Sequence, residues 1–143
     1  MLSLCPPKYY CPNTGMTSYK GYTCTPGYYC PAGSTSGTQV ACPQGTYSDA
    51  PDIFDSSQCL PCPRGFMCGT ATTSSSVTVC GVNQYCELGS SLSGNNNCPA
   101  GTYAPYTRSM SLFDCLPCPA GSYCLSGAGA TLCPAGSYCP VGT

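Results

Sequence analysis

Residues 98–124 read CPAGTYAPYTRSMSLFDCLPCPAGSYC, and this stretch decides the fold. It opens and closes on the same six-residue phrase, C-P-A-G-[T/S]-Y, at Cys98 and at Cys118, with sixteen residues between Cys98 and Cys115. Outward from here the phrase recurs along the chain, beginning at Cys5, Cys24, Cys42, Cys62, Cys80, Cys98, Cys118 and Cys133. We number these copies 1 to 8. A repeat of this kind sets the architecture before any local propensity does.

Each position of the phrase has a physical reason. The fourth is Gly in six copies, with Lys8 and Asn83 as the exceptions, because a turn straight after a cysteine calls for positive φ. Proline stands second in six copies and stiffens the turn. The sixth residue is an aromatic at Tyr10, Tyr29, Tyr47, Tyr85, Tyr103, Tyr123 and Tyr138, with Met67, beside Phe66, as the departure. These rings are expected to stand in for a core.

They have to, because the aliphatic content is low. The apolar share of 42% includes 16 Cys and 12 Tyr, which leaves too little Leu, Ile, Val, Phe and Met for one sizeable core. Cysteine at 16 in 143 residues marks a disulfide scaffold of an oxidising, extracellular or secretory setting. The 17 Gly and 15 Pro interrupt any helical run. The expected fold is small and disulfide-rich: an elongated rod of tandem cysteine-rich modules with short β-ribbons and turns and almost no helix, whose modules touch mainly their neighbours.

A longer period lies above the first. Cys24, Cys30, Cys42, Cys59, Cys62 and Cys68 have counterparts 56 residues on, at Cys80, Cys86, Cys98, Cys115, Cys118 and Cys124. Two module types account for all the cysteines. Four-cysteine modules made of two C-x5-C halves are expected over 1–41, 62–97 and 118–143. Two-cysteine loop modules are expected over 42–61 and 98–117.

CPAGTY, the sixteen-residue loop and the CLPCPAGSYC junction resemble the ephrin-receptor-like cysteine-rich repeat, itself similar to tumour necrosis factor receptor modules, over nearly the whole chain. The resemblance implies that each long loop closes on itself, as Cys42–Cys59 and Cys98–Cys115. It implies that four-cysteine blocks pair first with third and second with fourth: Cys5–Cys24, Cys11–Cys30, Cys62–Cys80, Cys68–Cys86, Cys118–Cys133 and Cys124–Cys139. Equal separations within each block, 19 and 19, 18 and 18, 15 and 15, lend this pairing modest support. Pairing inside each C-x5-C half stays open.

Several chemistries find little support in the sequence. Lys8, Lys20, Arg64 and Arg108 are scattered singly, so no basic patch exists to meet a nucleic acid. No apolar run has the roughly 20 residues of a membrane helix, and MLSLC is too short for a signal peptide, so a removed leader or a longer precursor is expected. The pairs Cys59–Cys62 and Cys115–Cys118 are C-x-x-C sequences of the kind that bind zinc or act as redox dithiols. Both fall at the same seam of the repeat in a chain without histidine, which favours structural cysteines.

Asp49, Asp52 and Asp55 share one loop and are a candidate calcium set, but their counterparts are Pro105, Arg108 and Ser111, so the loop folds without them. No nucleophile and base can be nominated, so an enzyme is not expected, nor a cofactor. The segment TATTSSSVT at 70–78 is uncharged and rich in hydroxyls, and Thr70, Thr72, Thr73, Ser74, Ser75, Ser76 and Thr78 are candidate O-glycosylation sites.

The expected function is a non-enzymatic structural repeat of an extracellular filament, appendage or surface coat. The alternative is the ectodomain or stalk of a cell-surface receptor or adhesion protein that binds another protein. Expected partners are further copies of the chain, head to tail, or other extracellular proteins, with attached glycans. One spacing motivates the head-to-tail joint: joining tail to head places PVGTMLSL between two cysteines, and LSGAGATL, of the same length, separates Cys124 from Cys133.

Overall fold

The computed structural model describes residues 2–93 and 96–143. In every copy the phrase folds as a tight turn. Its fourth residue has positive φ throughout, from 83° at Gly45 and Gly65 to 89° at Gly136, with Lys8 at 81° and Asn83 at 61°. The fifth residue closes the turn by donating its N–H to the carbonyl of the second, as Thr102 does to Pro99 at 3.0 Å and Ser122 to Pro119 at 3.1 Å. Glycine meets that backbone without cost, whereas a side chain such as that of Lys8 pays about 1–2 kcal/mol there.

The turn sends residues five and six back antiparallel to the two residues that precede the next copy's cysteine. Six two-stranded ribbons result among the described residues. They pair β1 (Tyr28–Tyr29) with β2 (Val40–Ala41), β3 (Thr46–Tyr47) with β4 (Leu60–Pro61), and β5 (Phe66–Met67) with β6 (Thr78–Val79). They also pair β7 (Gln84–Tyr85) with β8 (Asn96–Asn97), β9 (Thr102–Tyr103) with β10 (Leu116–Pro117), and β11 (Ser122–Cys124) with β12 (Ala130–Leu132). In copy 1 the same pairing survives as a single bridge, Tyr9 to Thr23. The helical content described is two 3₁₀ turns, Ser56–Gln58 and Leu112–Asp114, at equivalent places in the two long loops. In both, a side-chain oxygen of the last residue, Gln58 or Asp114, accepts N–H groups from the residues leading in.

The disulfides correct the expected connectivity. Cys42–Cys59 and Cys98–Cys115 close the long loops. The other six close within C-x5-C, as Cys5–Cys11, Cys24–Cys30, Cys62–Cys68, Cys80–Cys86, Cys118–Cys124 and Cys133–Cys139. The interleaved pairs Cys5–Cys24, Cys11–Cys30, Cys62–Cys80, Cys68–Cys86, Cys118–Cys133 and Cys124–Cys139 do not form. The turn is the reason: by doubling the chain back it brings the two Cα atoms of each short ring to between 5.8 and 6.1 Å, within disulfide reach, before any neighbouring copy is involved. In the chain-entropy account a ring this small stabilises by about 2 kcal/mol, somewhat less than the long loops.

The eight disulfides are therefore one per copy, and each joins cysteines consecutive in the sequence. Where a long loop replaces a short ring, the place of the second cysteine is taken by Ser48 or Ala104, both buried. Sulfur supplies most of the interior. The largest fully buried side chains are nine cysteines and Ser34, while the motif tyrosines of copies 1 to 7 are half-buried.

The chain forms two compact units, Met1–Cys62 with Cys68–Val77, and Pro63–Met67 with Thr78–Thr143. In the first unit Cys42, Ile53 and Cys59 form a small apolar cluster flanked by Tyr29 and Ala50; in the second, Met67, Cys80 and Cys86 form another. No helix among the described residues is long and apolar enough to cross a membrane.

Candidate functional site

The feature that recurs is the joint between one copy and the next. The carbonyl of each copy's fourth residue accepts the N–H of the next copy's first cysteine: Lys8 from Cys24, Gly27 from Cys42, Gly45 from Cys62, Gly65 from Cys80, Asn83 from Cys98, Gly101 from Cys118 and Gly121 from Cys133, at 2.8–3.2 Å. Every joint has this bond, and each bond lies within one unit. The N–H of the same residue points forward to the carbonyl at position seven of the next copy, as Gly45 does to Cys68, Gly65 to Cys86, Asn83 to Ala104, Gly101 to Cys124 and Gly121 to Cys139.

A second turn completes the joint. Three residues after the short ring, or four after Ala104, stands another residue of positive φ: Gly33, Ala71, Gly89, Arg108, Gly127 and Gly142. In five of the six its N–H reaches back to the first cysteine of the preceding copy: Gly33 to Cys5, Ala71 to Cys42, Arg108 to Cys80, Gly127 to Cys98 and Gly142 to Cys118. The carbonyl that follows accepts from position seven of that preceding copy, in Cys11 to Ser34, Cys86 to Ser109 and Cys124 to Thr143. The residue after the turn is often a hydroxyl that bonds three residues back, as Ser34 does to Pro31, Thr72 to Gly69 and Ser90 to Glu87. This second phrase, x-x-Gly-[Ser/Thr], was legible as PAGS at 31–34, ELGS at 87–90 and PVGT at 140–143, and the sequence reading missed it.

Side chains fill the joint as well: in copies 1, 2 and 4 the sixth residue lies on the next copy. Tyr29 packs on Cys42, Ile53 and Cys59 of copy 3. Met67 packs on the Cys80–Cys86 pair of copy 5. Against the Tyr10 ring lies Gly37 of copy 2, where a Cβ would come within 2.9 Å of Cε1. Tyr29 and Met67 thus cover the disulfide ahead of them, not the one beside them in the sequence.

The other candidate residues resolve into local roles. In Cys59-Leu60-Pro61-Cys62 and Cys115-Leu116-Pro117-Cys118 the two cysteines belong to different disulfides, so neither sequence is a dithiol. Asp49 accepts the Ser74 N–H at 2.8 Å, and that bond holds its carboxyl below the ordinary value. Asp55 caps the first 3₁₀ turn, with its carboxyl lowered first by the Ser57 hydroxyl and then by the Ser57 N–H. Among the described residues no group of carboxylates and cysteines is placed to hold a metal ion.

Of the glycosylation candidates, Thr72 is corrected: it is buried at 5% exposure, and its hydroxyl donates to the Gly69 carbonyl at 2.8 Å. Its burial follows from its place in the second turn. Thr70, Ser74, Ser75, Ser76 and Thr78 are exposed and Thr73 is half-buried. The segment lies between the rings Cys62–Cys68 and Cys80–Cys86 and inside neither.

One surface separates the two long loops. The first presents Ser56 and Ser57 on its 3₁₀ turn; the second presents Leu112 and Phe113, with Phe113 94% exposed. Tyr106, Met110 and Leu116 are exposed beside them, around a cavity of about 370 Å³ with Arg108 and Asp114 in its wall. The Arg108 guanidinium lies 5.6 Å from the Phe66 ring centroid. No protein-family model matches the chain, and no curated protein matches it.

Proposed function

We propose that this chain is a non-enzymatic structural repeat of an extracellular filament, appendage or coat. The observation that supports it is the joint itself: the same main-chain bond recurs at all seven junctions and asks little of side chains beyond a turn and a ring. Such a chain gains length by adding copies, each held by its neighbours and stapled by its own disulfide. Sixteen cysteines, all paired, suit the oxidising conditions outside the cell, and a place in the secreted or surface layer follows on this reading. The resemblance to ephrin-receptor-like repeats agrees with an extracellular module. Immunogold electron microscopy of native material tests the reading, with label expected along ordered fibres or a coat. Label on isolated molecules scattered over a membrane fraction would reject it.

A second reading has its own observation. The patch of Tyr106, Met110, Leu112, Phe113 and Leu116 is apolar at Leu112 and Phe113 where its duplicate loop carries Ser56 and Ser57, which suits docking of another extracellular protein, as in a receptor or adhesion stalk. Loss of cell-surface adhesion in a Phe113→Ser variant that keeps its assembly would favour this reading over the first.

A further inference from the structure

Two packed pairs of aromatic rings stand among the described residues, and both lie in copy 1. Tyr9 and Tyr19 have ring centroids 4.7 Å apart at an interplanar angle of 54°. Tyr10 and Tyr22 meet edge to face, at 5.5 Å and 78°. The first distance is at the close end of the range for aromatic pairs, about 4.5–7 Å. Linkers run from a short ring to the next copy at 12–23, 31–41, 69–79, 87–97 and 125–132, and the first alone contains tyrosine. Its two tyrosines are the ones that pack on the fifth and sixth residues of their own copy.

Ring packing alone does not call for phenols. None of these four hydroxyls bonds to another described residue, and phenylalanine serves at the fifth position of copy 4, as Phe66. What a phenol adds to a ring is one-electron chemistry. The linker is also where a covalent tie has most to hold: residues 12–22 form no helix or strand, and they lie between the rings Cys5–Cys11 and Cys24–Cys30 and inside neither. Tyr9 is anchored on the ribbon side by its bridge to Thr23, while Tyr19 is exposed on the linker.

We propose that Tyr9 and Tyr19 are an oxidative cross-linking site, joined as dityrosine by hydrogen peroxide that a haem peroxidase turns over. Two phenols and one peroxide give one dityrosine and two waters. The peroxide takes an electron and a proton from each hydroxyl, the two phenoxyl radicals join Cε to Cε, and the hydrogen on each joined carbon passes through solvent to its own phenol oxygen. The tilted contact of Tyr9 and Tyr19 lets two ring edges meet. Edge-to-face packing sets one edge against a face, so Tyr10 and Tyr22 stay uncoupled. The product is a staple that reductants do not open, in a segment the disulfides leave untied. This inference rests on the extracellular coat reading for the source of the oxidant, and it names a way in which such a coat hardens.

Oxidation of the 143-residue chain with peroxide and a haem peroxidase tests it. After reduction, alkylation and trypsin, which cuts after Lys8 and Lys20, Tyr9, Tyr10 and Tyr19 fall in peptide 9–20 and Tyr22 in peptide 21–64. Peptide 9–20 should become lighter by two hydrogens, to the same extent at every chain concentration, with fragmentation placing the bond between Tyr9 and Tyr19. The loss should persist in Tyr10→Phe and Tyr22→Phe and vanish in Tyr9→Phe and Tyr19→Phe, all of which keep the ring; unchanged disulfide mapping confirms that each is folded. The reduced, urea-unfolded chain should couple its tyrosines without this preference. The site is wrong if peptide 9–20 keeps its full mass, if it is joined chiefly to peptide 21–64, if the loss survives in Tyr19→Phe, or if the unfolded chain couples the same pair equally well. Labelled fibres in native material from a chain that does not couple would overturn the staple and spare the coat reading. Coupling of the purified chain, with native label only on scattered membrane-bound molecules, would do the reverse.

Discussion

A methyl group added at two equivalent glycines should have very different effects. Gly65 and Gly121 both stand at the fourth position, with φ of 83° and 86°. Alanine at either pays the positive-φ strain of about 1–2 kcal/mol. At Gly121 nothing lies within 4 Å of the new Cβ, so the cost ends there. At Gly65 the Cβ would come within 2.8 Å of the Arg108 carbonyl oxygen, which is backbone and cannot swing aside. Arg108 must retreat, and its N–H bond to Cys80 and the adjoining bond from Cys86 to Ser109 weaken with it. Two such bonds are worth about 1–3 kcal/mol, for a total of about 2–5 kcal/mol. Native-state amide exchange by NMR reads this locally, at about tenfold in protection per 1.4 kcal/mol. Gly121→Ala should lower protection of Cys133 N–H by about 5- to 30-fold. Gly65→Ala should lower that of Cys80 and Arg108 by about 30-fold to beyond 1,000-fold. Equal losses in the two variants, or a loss spread evenly to the Cys24 amide, would refute the joint as the source of local stability.

Three further outcomes are expected. Trypsin under non-reducing conditions cuts after Lys8, Lys20, Arg64 and Arg108, and with the connectivity seen here residues 1–8 and 9–20 leave together as one disulfide-linked pair; interleaved bridges would tether both to residues 21–64. Replacing Cys98 and Cys115 together by Ser should cost about 3 kcal/mol around the second long loop and leave exchange at Cys24 unchanged, whereas cooperative loss across the chain would imply one shared core. Asp49 has a lowered folded value, so its contact with Ser74 stabilises above the ordinary carboxylate value of 3.8 and is lost as pH falls through the lowered one. The Ser74 amide shift should therefore titrate below pH 3.8, and a midpoint above it would contradict the hydrogen bond.

The turn chemistry was fully legible. Gly at the fourth position, Asn83 in its place and the cost at Lys8 all follow from backbone sterics, which act within six residues. So did the ribbons, since residues five and six pair with the two before the next cysteine, and only β11–β12 runs one pair further, to Cys124 and Ala130. The two long-loop bridges formed as expected, the six short ones did not, and the equal separations that favoured interleaving show why. In any tandem repeat first-to-first and second-to-second distances are equal whatever the pairing, so 19 and 19 carried no information about Cys5, Cys11, Cys24 and Cys30. The better guide was the turn, which brings Cys5 to Cys11 before Cys24 has a position. Ser48 and Ala104, small residues at the seventh place, were a second guide, because they mark where the first cysteine must look further along. Thr72 was misread for a different reason: its burial comes from the second turn, and there Ala71 stands where the other copies of that phrase carry glycine.

Sequential pairing has a consequence for how such a chain is made. As the polypeptide enters an oxidising compartment, each cysteine meets its partner while the following copy is still being threaded through. Cys5 needs only six more residues to find Cys11, and no later cysteine competes, since the next, Cys24, arrives after the ring can close. Oxidation then proceeds in the order of synthesis, with little call for isomerases to undo wrong links. The copy number becomes free to vary: a duplication or deletion that begins and ends at equivalent positions removes or adds whole rings and strands no half-cystine. Lengthening by slippage of the coding repeat is tolerated by this connectivity, whereas with interleaved bridges the loss of half a block would have taken the partners of both remaining cysteines.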